Sequence, residues 1–404
     1  MKLASIIAEY NPFHNGHKYQ IEKAREILGD DVAIIAIMSG NYTQRGELAI
    51  ADKTIRAKAA VLAGVNLVLE LPFPFSSSSA EIFATSGVHI ANSIGSDYLI
   101  FGSECGNIAA ISKTADIMLS KQFESIITDI TSKKENICLS YPKIIETAYK
   151  TISNNDLSLN ISMPNNILAV EYVKAIKKIN SNIKPITIKR EGAGYSEKEI
   201  NTETEYQSAT SIRDLIANNV RSAQNFIPKN AFHAFSEAIL SGLMPSDSSK
   251  LNNSIITSLR LNSALGKDIF DADVGLYNRL CTLSTKTNSV SSLVALAETK
   301  TYTKARIRRA ILNSFFGVTS SLAKELPAFT QVLAMDEIGC SVLKRIKKTT
   351  QFPCITKPSD YTKYSERVIA QKEFSNKADS VYALTLPGDI SGTFHLTFTP
   401  FVKK

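Results

Sequence analysis

Glu9-Tyr10-Asn11-Pro12-Phe13-His14-Asn15-Gly16-His17 is the stretch on which the reading of this chain turns. It lies where an apolar run, Leu3–Glu9, gives way to a helical pattern near Gly16–Leu28. A helix N-terminus presents unpaired backbone N–H groups and a partial positive charge, and Gly16 lacks the Cβ that would block an approaching phosphate. His14 and His17 are three residues apart, so both imidazoles can face one ligand. Such a pair has two other readings: ordinary core or surface histidines, and a two-histidine metal site. The chain has five histidines; two of them flanking a glycine at the first strand-to-helix turn favour a phosphate grip.

Working outward, apolar runs alternate with helical periodicity. After the first strand and helix come a strand at Val32–Met38, a helix near Asp52–Ala63, a strand at Leu67–Glu70, a helix near Ala80–Ile94 and a strand at Tyr98–Phe101. This βαβαβαβ pattern predicts a Rossmann-like α/β fold: a parallel sheet with right-handed crossovers, helices on both faces and ligands at the carboxyl ends of the strands. Asp52 reads as the N-cap of its helix. Residues from 106 to about 180 read as a helical insertion that includes Tyr141–Asn154 and Asn165–Ile179, with Asn165 or Asn166 as a cap. A last strand follows at Ile183–Arg190, then a polar loop from Glu191 to Gln207 and a helix beginning near Ser208 or Thr210.

A chain of 404 residues suits two domains. The expected division is a nucleotide-binding catalytic domain over residues 1–225 and a C-terminal domain over 226–404, helical through about Lys348, then mixed with a strand near Phe394–Phe398. With 44% hydrophobic and 21% charged residues, the chain fits neither a disordered nor a fibrous class. No apolar run is long enough to span a bilayer. Five scattered cysteines without a C-x-x-C pair suit a reducing cytoplasm and argue against a zinc site. The expectation is a soluble cytoplasmic protein.

The net charge of +8 is unevenly placed. Residues 301–404 hold 16 Lys+Arg against 8 Asp+Glu, so the excess lies in the last quarter, and residues 1–300 balance at 30 of each. Lys300–Arg309 and Lys344–Lys348 are its two basic clusters. A neutral body with a basic end points to a polyanionic partner, nucleic acid being the usual one; a solvated basic surface is the plainer alternative. Candidate contacts are Tyr302, Lys304, Arg306, Arg308, Arg309, Lys344, Arg345, Lys347 and Lys348.

His14-Asn15-Gly16-His17 resembles the H-x-G-H motif of nucleotidyltransferases and class I aminoacyl-tRNA synthetases. Ser208-Ala209-Thr210-Ser211-Ile212-Arg213 resembles the later hydroxyl-rich motif of that superfamily, which closes over ATP phosphates. Further segments narrow the likeness: Ala36–Asn41 with Gln44-Arg45-Gly46-Glu47, Leu69–Pro72, Phe101–Glu104, Pro164–Leu168 and Ala297–Arg309. Together they make the chain similar to the bacterial tRNA(Met) cytidine acetate ligase family, over nearly its whole length but most densely up to residue 213.

The resemblance implies activation of acetate with ATP to acetyl-adenylate, then transfer of the acetyl group to the wobble cytidine of elongator tRNA(Met), giving N4-acetylcytidine. It implies that Ile7, Ala8, Glu9, Tyr10, Asn11, Pro12, Phe13, His14, Asn15, Gly16, His17, Lys18, Tyr19 and Gln20 hold ATP, joined by Gly102, Asn165, Arg190 and Glu191. His14, His17 and Arg213 are the catalytic candidates, since displacement at phosphorus needs positioning and charge stabilisation rather than a covalent nucleophile. Mg2+ is expected to accompany the triphosphate without a dedicated carboxylate cage. Ser39, Asn41, Gln44 and Arg45, after the second strand, are candidates for the acetate or base pocket. His89, His233 and His395 read as structural. Two rival readings are an adenylyltransferase making a small coenzyme and a non-catalytic RNA-binding protein with a nucleotide fold.

Overall fold

The computed structural model describes the whole chain except residues 134–138, 154–158, 191–205 and 265–267. Its sheet is built on β1 (Lys2–Ala8), β2 (Val32–Ser39), β3 (Leu67–Leu71), β4 (Tyr98–Ser103) and β5 (Lys184–Lys189). These five are parallel, in the order β5-β4-β1-β2-β3. The chain steps outward from β1 to β2 and β3, then returns to lay β4 on the other flank of β1. The strand order thus reverses between β1 and β4, and a crevice opens at their carboxyl ends, the place where such sheets bind ligands. All eight residues of β2 are buried, as expected for a strand covered on both faces.

Alternate residues of each strand enter two different cores. Leu3 and Ile7 of β1 pack with α3 (Ala80–Ser93), α4 (Ile108–Leu119) and α7 (Pro164–Lys178), the last two flanking α5 (Lys121–Ser132) and α6 (Tyr141–Ile152). Ala4 and Ile6 face α1 (Asn15–Leu28), α2 (Lys53–Leu62), α8 (Ala209–Asn218) and α9 (Lys229–Leu240). The period of two along the strand fixes this partition. The expected helical insertion is therefore α4 to α7. Asp52 caps α2 as predicted, accepting from the Thr54 amide.

The C-terminal part is not a separate layer. After α10 (Asn252–Arg260), α11 (Val274–Ser284), α12 (Val290–Ala297), α13 (Lys304–Phe316) and α14 (Ser320–Lys324), β6 (Thr330–Met335) enters the same sheet antiparallel to β3. α15 (Glu337–Thr349), β7 (Cys354–Ile355), α16 (Glu366–Ala383), α17 (Phe394–Thr397) and β8 (Phe401–Val402) complete the chain. β7 and β8 both pair with β6, so the sheet extends past the expected boundary at residue 225. Two readings need correction. The helical run to Lys348 is interrupted by β6, a short apolar stretch whose periodicity cannot separate a strand from a buried helix. The expected strand near Phe394–Phe398 is the single-turn helix α17, because His395 turns inward to meet Asp52.

A buried polar network fastens this C-terminal part to the sheet. Lys53 Nζ lies 2.6 Å from Glu70 and 2.6 Å from Asp379 of α16. Asn41 donates to Asp379 at 3.0 Å and accepts from the Lys53 amide at 2.8 Å. Asp52 meets His395 at 2.6 Å, which holds its carboxyl far below the usual range while raising that of the imidazole, each against the pull of burial. Arg56, also buried, donates to the carbonyls of Glu9, Ser39, Gly40 and Ala51. It ties the ends of β1 and β2 together, and so sets the position of the first motif.

Candidate active site

Two histidines cap α1, and they cap it with each other. The Gly16 amide donates to His14 Nδ1 at 3.1 Å, and the His14 amide donates to His17 Nδ1 at 3.2 Å. This is a capping box built from imidazoles. A nitrogen that accepts from a backbone N–H carries no proton, so each ring is neutral and bears its proton on Nε2. The rings stack with centroids 3.8 Å apart. Burial, with Arg190 and Arg213 nearby, lowers the pKa of His14 to about 3; burial, His14 and Arg190 push that of His17 well below its ordinary value. The arrangement therefore offers two N–H donors of fixed tautomer beside a helix N-terminus. Gly16 matters for a reason the sequence did not suggest: a Cβ there would lie 3.0 Å from His14 Cε1, against the ring that caps the helix.

The pair lies at the wall of a cavity of roughly 1470 Å3 at the carboxyl ends of β1 and β4. Of the residues expected around ATP, Ile7, Ala8, Glu9, Tyr10, Asn11, His14, Gly16, His17, Tyr19, Gln20, Gly102, Asn165 and Arg190 line it, and so does Arg213. Phe13 is instead buried against Tyr10 and His17. Asn15 reaches back to the Asn225 carbonyl, and Lys18 is exposed beside Glu22. Pro12 is buried outside the lining. Glu191 falls outside the described residues. Ser208 caps α8 by accepting from Ser211 N, and Arg213 donates to the Asn11 carbonyl at 2.9 Å and to Thr210 Oγ1 at 3.1 Å. The second motif is thereby docked on the first.

Asn165 and Asn166 do not cap α7 themselves. The Glu104 carboxylate, at the end of β4, accepts from both of their amides at 3.1 and 2.7 Å, and from the Asn165 side chain at 2.7 Å. A carboxylate at a helix N-terminus is favourable for the reason given for phosphate, and here it places Asn165 at the cavity rim. Glu104 closes the Phe101–Glu104 segment, yet nothing in its spacing announced that it would reach a helix sixty residues on.

The four candidates for an acetate or base pocket separate. Gln44 and Arg45 line the cavity. Ser39 and Asn41 are buried and absent from its wall, Asn41 being held in the network around Lys53. The loop that carries Gln44 is pinned from both sides. Its amide donates to Glu9 at 2.9 Å and its side chain to the Ser78 carbonyl at 3.1 Å. At Gly46, where φ is +73°, a Cβ would come within 2.6 Å of the Arg309 amide nitrogen. That contact brings α13 against the loop.

Of the two basic clusters, the first reaches the cavity wall and the second does not. Arg306 and Arg309 line the cavity with Thr301, Thr303 and Asp271. Each has a partner: Arg306 pairs with Asp273 at 2.6 Å and lies over the Tyr302 ring, Arg309 pairs with Asp271 at 2.6 Å, and Lys304 with Glu298 at 3.4 Å. Arg308 pairs with Glu47 at 2.8 Å, and the other oxygen of Glu47 is 3.9 Å from Arg213. Glu47 thus stands between α13 and the second ATP motif, a role its position in sequence did not reveal. Lys344, Arg345, Lys347 and Lys348 lie on α15 and are absent from the cavity wall; Arg345 donates to the Met1 carbonyl and Lys347 to Thr356.

A parallel α/β sheet with an H-x-G-H turn at its switch point defines a nucleotidyltransferase, and residues 1–393 match the HIGH Nucleotidyl Transferase family. The chain is 38% identical over 368 residues to the tRNA(Met) cytidine acetate ligase of Caldanaerobacter subterraneus subsp. tengcongensis, covering 89% of this chain and 90% of that one. It is 37% identical to the protein of the same name from Clostridium acetobutylicum, over 89% and 91% of the two chains. Among solved structures, Thermotoga maritima TmcAL bound with alpha-thio ATP superposes with a TM-score of 0.90 at 28% identity, over 100% of this chain and 99% of that one. The apo form of that protein gives 0.92. The chain belongs to the tRNA(Met) cytidine acetate ligase family of HIGH nucleotidyltransferases.

Proposed function

We propose that this protein uses ATP to activate acetate and transfers the acetyl group to the exocyclic amine of the wobble cytidine in elongator tRNA(Met). The observation that carries this reading is the composition of one cavity. Its wall includes the histidine-capped start of α1 and, as a second wall, α13 with Arg306 and Arg309, so a nucleotide and a nucleic acid can meet in one space. A small-coenzyme adenylyltransferase has no use for that second wall.

In the first step an acetate oxygen forms a bond to the α-phosphorus while the bond to pyrophosphate breaks. His14 and His17 Nε2–H groups, Arg190 and Arg213 donate to phosphate oxygens as charge builds on them. Orientation of acetate is assigned to Gln44 and Arg45, because both line the same cavity. Mg2+ would be held by the triphosphate and water and would draw negative charge off the phosphates. In the second step the cytidine leaves its stack to reach the acyl-adenylate. α13 and Tyr302 are the surface assigned to the RNA beside the cavity, and α15 a separate contact.

ATP–pyrophosphate exchange tests the activation step. Exchange that requires acetate and proceeds without tRNA supports the reading; exchange indifferent to acetate refutes it.

A further inference from the structure

The transfer step needs a group to take a proton, and the histidines are not free to do so. Each Nδ1 accepts from a backbone amide and each Nε2 bears the proton, so both rings enter the reaction as donors only. The remaining candidates are the carboxylates on the cavity wall. Most are already matched with a cation: Glu47 with Arg308, Asp271 with Arg309, Glu81 with Lys178, Glu146 with Lys143 and Lys150, and Glu171 with Lys174. Glu124 is exposed on α5.

Glu9 differs from all of these. It ends the run out of β1 immediately before Tyr10, whose φ of 46° turns the chain into the histidine motif. Its side chain is half-buried, lines the cavity and accepts one hydrogen bond, from the Gln44 amide at 2.9 Å. Among the described residues it makes no ion pair. The Glu9 backbone carbonyl is held by Arg56 at 2.6 Å, so the side chain springs from a fixed point. Four charged or titratable groups bear on it from the elements around: Arg213 of α8, Arg45 and Glu47 of the loop after β2, and Tyr172 of α7.

We propose that Glu9 is the general base of acetyl transfer, accepting the proton from the exocyclic amine of the target cytidine; the assignment rests on the acetylation proposed above. The amine nitrogen forms a bond to the acetyl carbonyl carbon and becomes acidic as it does so. Its proton passes to the Glu9 carboxylate. The bond from carbonyl carbon to the phosphate oxygen breaks, AMP leaves with the electron pair, and Glu9 releases the proton to water. Burial raises the pKa of Glu9, more than its Gln44 hydrogen bond and the two arginines lower it, which brings the carboxyl nearer to the pH at which it must act. Among the described residues only the Gln44 amide bonds to this carboxylate, which leaves its second oxygen for the substrate.

Glu9→Gln keeps an acceptor for the Gln44 amide and removes the base. With the full chain, enzyme-bound acetyl-adenylate is mixed with tRNA in a single turnover, and acetate-dependent pyrophosphate exchange is measured beside it. Transfer is expected to fall about 100-fold or more, the usual share of a positioned base, and at least ten times further than exchange. The acidic limb of the wild-type transfer rate should vanish in Glu9→Gln, and Glu9→Asp should restore that limb with part of the rate. Transfer at the wild-type rate, an acidic limb that survives in Glu9→Gln, or equal losses in both half-reactions would each overturn the role. A wild-type chain without acetate-dependent exchange instead overturns the underlying function.

Discussion

Replacing Lys53 by Met tests whether the buried network is what joins the C-terminal part to the catalytic edge of the sheet. The ammonium is 0% exposed and lies 2.6 Å from each of two carboxylates, Glu70 at 1% and Asp379 at 4% exposure. Removing one partner of a buried ion pair costs roughly 3–5 kcal/mol, because the other charge stays in a medium that solvates it poorly. Two carboxylates share this one cation, which argues for the top of that range. Lys372 argues for the bottom. Its Nζ is buried without a hydrogen-bond partner among the described residues, and burial together with the Lys53 charge lowers its pKa to about 8. With Lys53 gone, Lys372 is the cation left to face Glu70 and Asp379, so a loss of about 3 kcal/mol is expected for Lys53→Met. The double variant Lys53→Met/Lys372→Met should lose more than the sum of the single variants, since each single keeps one cation in the cluster. Urea unfolding followed by circular dichroism measures these losses, with m-values compared to check that the transition stays cooperative. A Lys53→Met midpoint within about 1 kcal/mol of wild type, or strict additivity of the double variant, would refute the reasoning.

The other expectations follow from the site. His14→Ala and His17→Ala each remove a donor to the phosphates and should lower acetate-dependent pyrophosphate exchange about 100- to 1000-fold; near-normal exchange in a folded double variant contradicts the assignment. Because the folded pKa of His14 is depressed to about 3 from 6.5, the unfolded chain binds a proton below pH 6.5 that the folded chain refuses. Stability is therefore lost as pH falls through that window, by about 2 kcal/mol at pH 5, and His14→Asn, which can still cap α1, should flatten the loss; an unchanged acid slope would tell against it. Gly46→Ala combines a positive φ with a Cβ 2.6 Å from the α13 backbone and should cost at least about 1–2 kcal/mol from the backbone alone, measured by thermal unfolding. Arg306→Ala should weaken tRNA binding with a shallower salt dependence while sparing exchange, and it is a cleaner probe than Arg309→Ala, which would strand the half-buried Asp271. Unaltered tRNA affinity at low salt would remove α13 from the RNA surface.

Periodicity carried the first half of the fold because β1 to β4 are largely buried on both faces and each crossover helix between them has its own cap. Those local rules agree from Leu3 to Phe101, and the switch-point crevice follows from them. The C-terminal strands were illegible for a physical reason. β6 is six buried residues paired antiparallel with β3 across some 260 positions of sequence, and no local pattern encodes its partner. Within the site, the meeting of His14, His17 and Arg213 at one cavity was legible, since all three stand at helix starts beside the carboxyl ends of the strands. That His14 and His17 cap their own helix, and so fix their tautomers, was not, because it depends on side-chain orientation rather than spacing. Asn41 illustrates the opposite error. It sits in the loop after a strand, where binding residues belong, yet its amide is spent on Asp379 and the Lys53 backbone, contacts supplied by an α16 that sequence could not place beside it.

One cavity is proposed to activate acetate with ATP and to deliver the acetyl group to RNA. Incubating the protein with ATP, labelled acetate and bulk tRNA, then digesting the tRNA to nucleosides, tests it most directly. Label is expected in N4-acetylcytidine, confined to elongator tRNA(Met) and accompanied by AMP and pyrophosphate. Label recovered only in a small-molecule product, or AMP formed at the same rate with and without acetate, would contradict it.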